Sequence, residues 1–146
     1  YREIQKMSKT KHRDEESKRR LEQVAKFNNN LQRNEVLTLH YLGLPYVVLS
    51  RSPLLRLKVP LSTFNYQDGE SWGIALQLVF TCPLNYPLQV PQVELVERRN
   101  VSAELELSLR AEIASTLEKH LGLYMIVAVI TQLQLLLNNV ARRLPL

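Results

Sequence analysis

The 146-residue chain is 45% apolar and 23% charged, the balance of a soluble globular protein, and its length fits one ordinary domain plus an appendage. One cysteine, Cys82, cannot form an internal disulfide and leaves no Cys/His metal spacing, which argues for a reducing compartment over secretion. The net charge of +5 sits almost wholly in residues 1–26, which hold nine Lys/Arg against five acids, while the other 120 residues carry ten against nine. The charged start shows no signal-peptide pattern, and a first residue of Tyr1 rather than Met reads as a piece of a longer protein. The longest apolar run, Leu121 to Ile130, is about half of the roughly 20 residues a bilayer span needs, so no membrane is expected.

Residues 1–26 form a basic leader. Few positions in residues 1–20 are apolar (Ile4, Met7), helix formers abound and Gly and Pro are absent, which predicts a solvated helix or a disordered arm. Two uses of its charge stand side by side. Lys9, Lys11, Arg13, Lys18, Arg19 and Arg20 can meet phosphates on RNA or an acidic protein surface. Alternatively, Glu15 and Glu16 offset Arg19 and Arg20 at helical spacing on a merely solvated face. No aromatic-rich strand pair of the kind that stacks single-stranded bases is evident. From Leu21 a helical stripe runs through Val24, Ala25, Asn28, Leu31, Glu35, Leu39 and Leu42. Asn28-Asn29-Asn30 interrupts helix propensity and marks the expected passage from the leader to a domain spanning 27–146. Gly43 and Pro45 are the stop signals.

Four strand-like stretches follow: Tyr46–Ser50, Leu54–Val59, Trp72–Thr81 and Gln92–Glu97. Leu55, Leu57 and Val59 alternate with Arg56 and Lys58, as on a sheet with one solvated face, and Asp68-Gly69 signals a turn between the second and third strands. The third and fourth are joined by Tyr86-Pro87-Leu88-Gln89-Val90-Pro91. Two prolines fix φ near −65° and withhold two N–H groups, which predicts a rigid extended turn in place of a Gly/Asn hairpin. Tyr86 offers a ring to the core and a hydroxyl to nearby backbone. Glu35, on an otherwise apolar stripe, must be hydrogen-bonded if buried, and holding the turn is a better use for it than proton transfer.

The last third is helical. Ser102 caps a helix striped by Leu105, Leu109, Ile113 and Leu117, and Gly122 separates it from a final helix spanning Leu123 to about Arg143. That final helix is apolar on more sides than one sheet face requires, so the surplus goes to the other helices or to a partner surface. The class is α+β: an opening helix, a four-stranded antiparallel meander and two C-terminal helices packed on the sheet.

Gln32-Arg33-Asn34-Glu35-Val36-Leu37-Thr38-Leu39 on the first helix, the full Tyr86–Pro91 turn and the start of the last helix at Gly122–Val127 together resemble the RWD domain, a non-catalytic relative of ubiquitin-conjugating enzymes. The resemblance covers roughly residues 31–141 and makes Glu35, Tyr86, Pro87 and Pro91 its structural motif. It departs at the end of the first helix, where Leu42-Gly43 stands in place of the family's Ile-Tyr. A conjugating enzyme needs a thiol after this turn, and no cysteine follows Pro91; Cys82, before it, reads as an inert buried thiol. His12 and His40 lack ligand spacing, so neither a metal nor another cofactor is expected.

The resemblance thus implies a cytoplasmic scaffold without catalysis, the nucleus being left open. Family members that keep the turn include the general-control translation kinase and Impact-type regulators, which use the domain to bind a large ribosome-associated activator. Others sit in ubiquitin ligases, bind developmentally regulated GTPases or follow a coiled coil in kinetochore subunits. A role in translation or stress-kinase control is the expectation, with the kinetochore or ligase assembly and an RNA contact through the leader as alternatives.

Overall fold

The computed structural model describes residues 2–66 and 73–143, with side chains from Arg13 onward. Helix α1 runs from Arg2 to Tyr41. It passes through Asn28-Asn29-Asn30 without a break, against the expected interruption there. Three asparagines cost only a few tenths of a kcal/mol each in helix propensity, and packing of the second half of α1 on the body outweighs that. Every described residue from Arg13 to Phe27 is exposed, and Asn28 is the first buried one. At the far end Gly43 adopts φ 71°. Its N–H donates to the His40 carbonyl, and the Leu44 N–H to that of Leu39 (both 3.0 Å), which closes α1 with a Schellman motif.

Strands β1 (Val47–Ser50), β2 (Arg56–Ser62), β3 (Ala75–Thr81) and β4 (Gln92–Arg99) form one antiparallel sheet in the order β1-β2-β3-β4. Leu57, Val59 and Leu61 of β2 point into the core while Arg56 and Ser62 are exposed, the predicted alternation. The second strand lies two residues later than expected at its start and continues through Pro60 to Ser62. Pairing with β1 ends at Val47↔Lys58, so Pro60 has a neighbouring strand only on the β3 side, and an N–H missing on the open side costs no ladder bond. A bulge shifts the register between β3 and β4 near Glu97, which takes φ 50°. The predicted Asp68-Gly69 turn and Trp72 lie outside the described residues.

Helix α2 (Ala103–Lys119) begins as the sequence predicts, with the Ser102 hydroxyl accepting from the Leu105 N–H at 3.1 Å. Helix α3 (Met125–Arg143) starts two residues later than expected. It packs against β2, α1 and α2 and buries Met125, Ile126, Val129, Ile130, Leu133 and Leu137. By length and composition α3 could cross a membrane, yet this apolar face lies in the domain's core. Leu39 of α1 and Leu57, Leu78 and Phe80 of the sheet complete that core, each fully buried.

Candidate functional site

The Tyr86–Pro91 segment is more compact than the predicted extended turn. The Tyr86 N–H donates to the Pro83 carbonyl at 2.9 Å and the Leu88 N–H to that of Asn85 at 2.6 Å, so two tight turns overlap. The Tyr86–Pro87 peptide bond is cis. Leu84 and Leu88 point outward, while Tyr86, Pro87 and Pro91 are buried. This geometry drives the Tyr86 ring into the core with its hydroxyl at the start of α3.

There it solves a specific problem. The first N–H groups of a helix have no intrahelical acceptor, and Tyr124, the residue before α3, has no short side chain to cap them. The Tyr86 hydroxyl accepts from Met125 N–H at 3.0 Å and Ile126 N–H at 3.2 Å, and donates its own proton to Glu35 Oε1. Glu35 Oε2 accepts from Val127 N–H at 3.1 Å, and Ala128 N–H reaches the Tyr124 carbonyl at 3.3 Å. All four donors of the first turn are thereby satisfied from α1, the turn and the preceding residue. Gln32, one helical turn before Glu35, donates to the Tyr86 carbonyl at 3.1 Å and the Pro83 carbonyl at 3.3 Å. The Gly122 N–H donates to the Pro87 carbonyl at 2.9 Å. Helix, turn and helix meet in one fully bonded cluster.

Electrostatics follow from its dryness. Burial lifts the Glu35 carboxyl to about 7, although hydrogen bonds from Tyr86, Val127 and Ile126 favour its charged form. Burial and then the Glu35 charge push the Tyr86 phenol far above its usual range. The same two causes push the Cys82 thiol up to about 12, which leaves it protonated and unreactive at neutral pH. A raised carboxyl in an active site would face a cleft; this one has no solvent exposure, and both its oxygens are engaged by the protein. The arrangement can hold backbone in place. It offers no atom to a substrate.

The remaining sequence-predicted residues lie apart from this cluster. Arg13, Lys18, Arg19 and Arg20 are exposed on the first half of α1, and Arg20 pairs with Glu16 at 3.0 Å. Lys9 and Lys11 lie on the same helix, their side chains outside the described set. No group of three or more His, Cys, Asp or Glu able to hold a metal occurs among the described residues. Tyr46, which follows the departure at Leu42-Gly43, is partly buried against the core. Gln32 lies within the α1 motif without a role legible in the motif itself; its place three residues before Glu35 on one helix face is the only sign in the sequence that it shares the site.

The family model of the RWD domain matches residues 30–137. The solution structure of the RWD domain of mouse GCN2 superposes with a TM-score of 0.66 at 21% identity, covering 80% of this chain and 89% of that one. No curated protein sequence matches. The matched segment holds all of the sheet, α2 and the Glu35–Tyr86 cluster, and at that identity the GCN2 domain shares the fold. This chain belongs to the RWD domain family.

Proposed function

We propose that residues 27–146 form a non-catalytic protein-interaction module that recruits a large partner in translation or stress-kinase control, with residues 1–26 as a separate leader. One observation carries the non-catalytic part. The only strongly perturbed carboxyl, phenol and thiol of the described chain, Glu35, Tyr86 and Cys82, are all buried, the first two bonding one another and the start of α3. Family membership supports the interaction role. The retained Tyr-Pro turn, as in the general-control kinase and Impact-type regulators, supports the pathway and a cytoplasmic site of action.

Affinity purification with the whole chain as bait, and with a chain lacking residues 1–26, tests the reading by mass spectrometry of what is retained. The expected result is one large ribosome-associated protein held by both baits. Retention of kinetochore or ubiquitin-ligase subunits instead would move the module to those assemblies. The exposed Arg13, Lys18 and Arg19 favour one second reading, an RNA contact, which predicts loss of retention without the leader and a steep fall with added salt.

A further inference from the structure

Between α1 and the β1–β2 connection the body opens into a cleft of about 800 Å³. Ala25–Val36 of α1 form one wall, Arg51–Leu55 the other, and Cys82 with Leu84 close the end. Its floor is apolar: Val36, Leu55 and Cys82 are buried there. Its rim is basic, with Lys26, Arg33 and Arg51 exposed around it and no Asp or Glu among its lining residues.

The charge has no internal answer. Arg20, Lys58, Arg98 and Arg110 each reach a glutamate. Lys26, Arg33 and Arg51 make no ion pair among the described residues. On the same face of α1, Glu22 lies one turn above Lys26, and Lys18 and Arg19 lie one turn beyond that, so the cationic side continues up the helix with one acid in it. Glu35 is turned away, bonded to Tyr86 and Val127.

An apolar floor under an unpaired cationic rim selects its occupant. A ligand must bring negative charge at the rim and an apolar side chain for the floor. Nucleic acid meets the first need only, since no aromatic side chain lines the cleft to stack a base. We propose that this cleft docks an extended acidic segment of a partner protein, its carboxylates on Arg33 and Arg51, with Lys26 an outlying contact it can lose, and an apolar side chain against Val36 and Leu55. This rests on the interaction-module reading and adds the surface and the chemistry of the partner.

The test titrates the whole chain with a short fluorescein-labelled peptide of Glu, Asp and Leu, followed by anisotropy and by amide chemical shifts. The peptide should bind with shifts confined to Ala25–Val36, Arg51–Leu55 and Cys82–Leu84, and affinity should fall as salt is added. The double variant Arg33→Glu/Arg51→Glu should weaken binding by about tenfold or more with an unchanged melting temperature, because both side chains are exposed. A Lys-for-acid peptide should not bind. No binding, shifts elsewhere, an unaffected double variant, or an oligo-uridine RNA occupying the cleft in place of the peptide would each overturn the proposal. The module reading is separable: a double variant that still retains the same partner in affinity purification removes the cleft and leaves the module standing.

Discussion

Burial lifts the Glu35 carboxyl from 4.5 to about 7, so between those values the folded chain holds a proton that the unfolded chain releases. The resulting stability is fully present below about pH 4.5 and is lost as pH rises through 7, a swing of about 3 kcal/mol. Urea unfolding at pH 5.5 and pH 8 should show the higher midpoint at pH 5.5, and Glu35→Gln should flatten that difference. The same variant lowers stability overall, because its NH2 must face either the Tyr86 oxygen, which already accepts two backbone N–H groups, or the Val127 N–H, itself a donor. Tyr86→Phe strips Met125 N–H, Ile126 N–H and Glu35 Oε1 of their partner at once and should cost about 2–4 kcal/mol in the same assay. The sequence already implied that a buried Glu35 would need partners and that the Tyr86 hydroxyl would seek backbone. It did not disclose that they serve the same helix, because the N–H donors they accept from lie 40 and 92 residues downstream. Bonds over such separations leave no local pattern.

Among the elements, ends set by neighbouring residues were legible and ends set by distant ones were not. Ser102 and Gly43 act on residues three or four positions away, and both sit where the sequence puts them. Ser102→Ala removes the acceptor for Leu105 N–H and should lower the unfolding free energy by about 1 kcal/mol in a denaturant titration. The end of β2 depends on how far β3 pairs with it, and the bulge at Glu97 on how β4 meets β3; neither is written in β2 or β4 alone. The sequence puts the start of α3 at Leu123, two residues early, for the same reason. Its own sequence carries no capping residue, and the cap arrives from α1 and the Tyr86 turn.

For the whole molecule, the described side chains from Arg13 to Phe27 are all exposed, so the first half of α1 contributes no described buried side chain to the core. Deleting residues 1–26 should leave the melting temperature unchanged within a degree or two on the order of a 0.5 kcal/mol effect. Limited proteolysis should trim the chain to about Lys26 and stall; rapid cuts within β3 or α3 would place the boundary elsewhere. The cluster that joins the first helix to the last has a kinetic side. Helix first turns ordinarily fray, and their amide protons exchange within moments. Here Met125, Ile126 and Val127 N–H are bonded to Tyr86 and Glu35, so they are freed only when α1 and the turn let go together. The last helix of the chain therefore has no settled beginning until the first is in place, and its leading amides should be among the slowest to take up deuterium.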